Sequence, residues 1–228
     1  MPFFFFDPTM ILLLPAMLIA IWAQVRMQST FARYARVASA SGYTGARAAR
    51  RILDAAGATD VDIQPVPGTL TDHYDPRSRV LALSQDVYAG RSLSSLGVAA
   101  HEAGHALQHS FGYLPLGIRS GLVPVAKLGY GLAFVLFFIG FFFRSMALMN
   151  VGIYLFVGYV AFTLVTLPVE FNASKRAIAL LTDQGIVSQA EAVHARKVLR
   201  AAALTYVAAA LTAIMLLLRF LVLRGSRQ

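Results

Sequence analysis

Residues 101–105 read His-Glu-Ala-Gly-His. On an α-helix, positions i and i+4 lie about 40° apart in projection and one turn apart along the axis. The His101 and His105 imidazoles can therefore reach one metal ion from the same face. Glu102 is turned by about 100° and can reach a water at that ion without joining its ligands. Zinc brings the pKa of its water towards 7 and polarises a carbonyl, and a neighbouring carboxylate takes the proton; this is the chemistry of metal-assisted hydrolysis. With 5 histidines and 3 glutamates in 228 residues, such a string is expected by chance roughly 0.0014 times per chain. The chain has no cysteine, so any metal site must use imidazole and carboxylate.

A catalytic zinc takes three protein ligands and keeps one position open. His109 lies eight residues beyond His101, about 12 Å along a helix axis, too far to share the ion, and is read as structural. The other glutamates are Glu170 and Glu191. Glu170 stands two residues after Pro168 in LPVEFNASKRA, at the end of an apolar run, where an acid is costly unless paired. Two readings stay open on the residues alone: Glu170 is the third ligand, or it is an interfacial acid neutralised by Lys175 or Arg176.

The elements that must position these groups are membrane helices. Hydrophobic residues make up 57% and charged residues 14% of the chain, which excludes disorder and a disulfide scaffold and points to an integral membrane protein. In so apolar a chain the net charge of +9 suggests lipid headgroups and no nucleic acid. Four stretches approach the roughly 20 apolar residues a crossing needs: 3–25, 124–143, 146–169 and 201–218. No lysine or arginine precedes Arg26, so the first is read as an uncleaved span with its N-terminus outside, not a signal peptide. Eleven basic residues fall between spans one and two and five between three and four, which the positive-inside rule assigns to the cytoplasm. Arg219, Arg224 and Arg227 oppose that rule, because four crossings put the C-terminal tail outside. The topology returns Glu170 to the side that carries HEAGH.

The expected organisation is thus a first span (1–25), a cytoplasmic domain (26–123), a transmembrane hairpin (124–169), a cytoplasmic helical segment (170–200), and a fourth span with its tail (201–228). Within the domain, GYTGARAARRILDAAG predicts a short helix capped by Thr44 and ended by Gly57. Residues 61–66 and 79–83 predict strands flanking a turn-rich segment that holds Asp72, His73 and Asp75, and a helix follows over 92–109. Turn chemistry is the plainer reading of Asp72 and Asp75.

HEAGHALQH, LTDHYDPRSRVLALS, LPVEFNASKRA and LTYVAAAL occur in order along nearly the whole chain. Together they resemble the YugP-like family of membrane zinc metallopeptidases. The resemblance implies a gluzincin-type site in a bacterial cytoplasmic membrane: one Zn²⁺ held by His101, His105 and Glu170, with Glu102 as general base. It implies a mainly α membrane protein, four transmembrane helices with a small α+β zincin-like domain (a short antiparallel sheet plus the HExxH helix) between spans one and two. Other helical membrane gluzincins place an aspartate four residues after the ligand glutamate. Ser174 stands there, so Ser174 or Asn172 is expected to orient a histidine. By analogy with zincins, an edge strand of Arg79, Val80, Leu81, Ala82 and Leu83, with His73 nearby, would hold substrate extended. Tyr206 is a candidate oxyanion donor, although a membrane-interface aromatic is the plainer reading.

The function expected is a zinc endopeptidase at the cytoplasmic membrane surface, acting on membrane-associated polypeptide. The alternative is a non-catalytic membrane adaptor or chaperone that holds zinc structurally. A zinc transporter is disfavoured, because the spans lack acids and histidines at mid-depth. Gly140, Gly152 and Gly158 would permit self-association as a homo-oligomer.

Overall fold

A computed structural model describes residues 8–227; the beginning of the expected first span, 3–7, lies outside the described residues. The chain is mainly helical, with one three-stranded sheet, and four of its helices are long and apolar enough to cross a membrane. A 3₁₀ turn (Pro8–Leu13) leads into α1 (Leu14–Ala35). Next come α2 (Gly45–Ala55), β1 (Asp62–Val66), β2 (His73–Asp75), β3 (Val80–Ser84) and the short α3 (Gln85–Tyr88). Four longer helices complete the chain: α4 (Leu93–Ser110), α5 (Leu114–Phe142), α6 (Met146–Asp183) and α7 (Gln189–Gly225).

The contacts divide these elements into two compact units. One holds residues 8–24, Gly117–Pro168 and 205–227; the other holds Val25–Leu116 and Val169–Leu204. The long helices outrun the apolar stretches that mark them in the sequence. Hydropathy measures only the length immersed in hydrocarbon, whereas α6 and α7 continue with alanine-rich turns whose small side chains pack in the second unit. Ala173, Ala177 and Leu181 of α6 and Ala195 of α7 are all fully buried there.

In the second unit, α4 is the central element. Ser92 caps it, its hydroxyl accepting from the Ser95 amide at 3.1 Å, as Thr44 caps α2 by accepting from Arg47 at 3.2 Å. Leu93, Leu96, Ala99, Ala100, Ala103 and Leu107 pack against Ile52 and Leu53 of α2 and Leu81 and Leu83 of β3. Each large side chain so buried is worth about 1.5–3 kcal/mol. Gly104 lets α4 come close to α6: a β-carbon there would stand 3.0 Å from the Ala173 carbonyl oxygen.

The sheet departs from expectation in two ways. Its order is β1-β3-β2, with β1 parallel and β2 antiparallel to β3, so it is mixed and not antiparallel. β3 is the most apolar strand, VLALS with four of five residues buried, and is stabilised by a neighbour on each side. It is therefore the central strand and not an edge.

In the first unit, α5 and α6 form the expected hairpin through a turn in which Arg144 adopts φ 54°. Gly140 and Gly152 line this helix pair. A β-carbon on Gly152 would stand 2.8 Å from the Ala133 carbonyl oxygen, so that small residue is spent on packing within the chain. Phe137 and Phe220 stack at 4.2 Å between centroids, amid Phe134, Met149 and Phe156. The Arg227 guanidinium lies 4.0 Å from the centroid of Phe141, and Arg219 Nε donates to Thr9 Oγ1 at 3.0 Å. Thr9, the hairpin turn and the end of α7 thus share one end of this unit.

Candidate metal centre

His101 and His105 project one turn apart from α4, and Glu170 projects from α6 just beyond Pro168. All three belong to the same unit. Glu170 Oε2 is 3.2 Å from His101 Nε2 and 3.4 Å from His105 Nε2, and one ligand atom from each residue lies within 4.8 Å of the others. The edge between two ligands of a tetrahedral zinc, at bond lengths near 2.0–2.1 Å, is about 3.3 Å. The two observed separations straddle that value, so the Glu170 carboxylate stands at zinc-ligand spacing from each histidine. Glu170 is 2% exposed, and a carboxylate so buried needs cationic or metal company.

The second nitrogen of each imidazole is also engaged. Gln108, fully buried one turn beyond His105, places its Oε1 3.0 Å from His105 Nδ1. Its Nε2 donates to the Val169 carbonyl at 2.8 Å and to Asn172 Oδ1 at 3.0 Å. Those two acceptors fix which end of the amide faces the histidine, so Nδ1 carries the proton and Nε2 turns its lone pair inward. Ser174 Oγ stands 3.1 Å from His101 Nδ1 and holds the orientation of that ring, its hydroxyl being able to accept from a protonated Nδ1. Asn172 touches neither histidine; its Oδ1 accepts from Gln108 and from Arg176 Nε at 2.9 Å. Gln108 was missed in the sequence, although a polar residue at i+3 from a ligand on an apolar helix was the available signal.

Burial alone would push the His105 imidazole pKa down. The hydrogen bond to Glu170 and the negative charges of Glu102 and Glu170 outweigh it, and hold the pKa above the ordinary histidine value. Glu102 is half-buried and belongs to the same unit, but stands apart from the three-donor cluster. His109 is not in the cluster either: its Nδ1 meets Tyr74 Oη at 2.9 Å and ties α4 to β2.

The expected substrate strand needs correction. Leu81, Ala82 and Leu83 are buried, and the β3 backbone pairs with β1 on one side and β2 on the other, so it cannot receive a peptide as an edge. Val80 pairs with both Asp62 and Asp75, and Arg79 precedes the strand at φ 55° in an ion pair with Asp60. The edge strand tied to α4 is β2, where His73 is exposed and its Nδ1 meets the Thr71 carbonyl at 2.8 Å. Asp75 accepts from the Arg77 amide at 2.9 Å in turn geometry, whereas Asp72 reaches twelve residues on and accepts from the Ser84 amide at 2.8 Å and the Ser84 hydroxyl at 3.0 Å, which ties the segment before β2 to the end of β3. Tyr206 is half-buried on α7 and belongs to the other unit.

Comparison with known proteins agrees with this geometry. The sequence model of a family described as “Putative neutral zinc metallopeptidase” matches residues 9–225. A relative in Bacillus subtilis (strain 168), named “Putative membrane protease YugP”, is 49% identical over 212 residues, covering 93% of this chain and 94% of that protein. No solved structure matches the chain.

Proposed function

This chain belongs to the “Putative neutral zinc metallopeptidase” family, and from that premise we propose that it is a membrane-embedded zinc endopeptidase working at the cytoplasmic membrane surface. The observation that carries the reading is the meeting of His101, His105 and Glu170 around one point, with Glu102 next to His101 in the sequence of the same helix. Zinc bound there supplies a Lewis acid that acidifies water and polarises a peptide carbonyl. Glu102 takes the proton of the attacking water and returns it to the leaving amine. Gln108 and Ser174 hold the two histidine rings in the tautomer that presents Nε2. The outer edge of β2, with His73, is the proposed seat of the extended substrate.

A structural zinc in an adaptor or chaperone would be closed by a fourth ligand and would need no base. Among the described residues the cluster has three donors from histidine, aspartate and glutamate, which leaves a position open and favours the enzyme. The cytoplasmic placement rests on the sixteen basic residues in the first and third loops, and a membrane-associated polypeptide is the substrate class that fits it. Glu102→Gln tests the proposal. The variant should keep zinc at the wild-type stoichiometry and lose cleavage of a reconstituted membrane-protein substrate. Undiminished cleavage would refute the general-base assignment.

A further inference from the structure

The membrane-helix unit has an unusual charge balance. Between residues 1–24, 117–168 and 205–228 it carries six basic residues, Arg119, Lys127, Arg144, Arg219, Arg224 and Arg227, against a single acid, Asp7. Four of the six gather at the hairpin end. Arg227 lies over Phe141, three residues before Arg144. Arg219 and Arg224 stand on the last turns of α7, where Phe220 and Leu223 are buried against the aromatic cluster. No carboxylate among the described residues pairs with Arg144, Arg224 or Arg227, and Arg224 Nε is buried without a hydrogen-bond partner. The sequence of this unit offers one acidic side chain to six basic ones.

Such an end runs against the positive-inside rule and calls for anions from elsewhere. We propose that the arginines at the hairpin end, Arg144, Arg224 and Arg227 with Arg219 beside them, bind the phosphate headgroup of an anionic phospholipid. Planar guanidinium groups pair with phosphate through two parallel hydrogen bonds, which lysine cannot reproduce. The neighbouring surface selects a lipid over a free anion: Phe142 is 56% and Phe143 79% exposed immediately before Arg144, an apolar wedge beside a basic rim. One helix-end effect contributes in part, since Arg224 in the last turn of α7 also meets the negative end of that helix's dipole. Arg144, two residues past the end of α5, meets the end of a second helix. This inference is independent of the peptidase reading.

The test uses the full-length zinc-loaded protein, delipidated in a neutral detergent. Phosphatidylglycerol, phosphatidylcholine and inorganic phosphate are added separately, with thermal stability and native mass spectrometry as readouts. Phosphatidylglycerol should raise the melting temperature and stay bound, while the other two should not. The triple variant Arg144→Gln, Arg224→Gln, Arg227→Gln should bind phosphatidylglycerol at least about tenfold more weakly, with zinc content unchanged. The corresponding triple lysine variant should recover part of that loss. If the triple variant does not fold, Arg227→Gln alone, at an exposed residue, must already weaken phosphatidylglycerol binding. Equal binding of phosphatidylglycerol and phosphatidylcholine, or an unaffected glutamine variant, overturns the proposal. Stabilisation by inorganic phosphate to the same extent overturns the lipid in favour of a free anion.

Discussion

Replacing Gln108 by leucine separates the support of the metal centre from the centre itself. Leucine fills a similar volume, so packing is nearly conserved, but three polar contacts go: His105 Nδ1 at 3.0 Å, the Val169 carbonyl at 2.8 Å and Asn172 Oδ1 at 3.0 Å. Asn172 keeps Arg176. The buried His105 N–H loses its partner and the Val169 carbonyl loses the side-chain donor, at about 1–3 kcal/mol for each buried group left unsatisfied. The Val169 carbonyl keeps its place in the α6 ladder, so the expected loss of stability in the metal-free protein is about 1–3 kcal/mol, from the one group left unsatisfied. Freed from its acceptor, the His105 ring can rotate or change tautomer, and zinc affinity should fall by about 10–100-fold. Gln108→Glu provides the contrast. It keeps an acceptor for His105 but cannot donate to Val169 or Asn172, so it should lose stability while holding zinc at least as tightly as wild type. Chelator competition with a zinc-sensitive dye gives the affinity, and thermal unfolding of the metal-free proteins gives the stability. A Gln108→Leu protein whose zinc affinity stays within twofold of wild type would refute the idea that this amide positions the ligand.

Three further outcomes follow from the same geometry. Gly104→Val should destabilise the fold by about 1–3 kcal/mol or prevent it, because even a β-carbon at that position stands 3.0 Å from the Ala173 carbonyl oxygen; thermal melts and zinc content check this. Because the His105 pKa is raised in the metal-free site, its contribution to stability is fully present below the ordinary histidine value and is lost as pH rises through the raised one. Zinc requires the neutral ring, so zinc affinity should change the opposite way, weakening as pH falls through that value; melts of metal-free and zinc-loaded protein should show opposite slopes with pH. Tyr206→Phe changes the other unit and should leave zinc content at the wild-type value, which metal analysis of the purified variant checks.

The metal cluster was legible because its two histidines lie one helical turn apart, and because a chain with three glutamates offers few partners. Pro168 and the end of the apolar run marked where Glu170 re-enters a polar setting. The helix limits were harder to read. The apolar run ending at 169 marks hydrocarbon, and the same helix continues to Asp183 on alanines that read as neutral in any hydropathy pattern. Sheet order was hidden for a related reason: alternation and apolarity mark VLALS as a buried strand but say nothing of which neighbours cover its two edges. Gln108 escaped notice since its role depends on the Val169 carbonyl, a backbone group 61 residues away.

Metal analysis of the purified protein tests most directly whether Glu170 completes the ligand set. Wild type should carry one zinc per chain, and Glu170→Ala should carry almost none under the same preparation, while remaining folded by circular dichroism. A folded Glu170→Ala protein that retains one zinc per chain would contradict the arrangement described here.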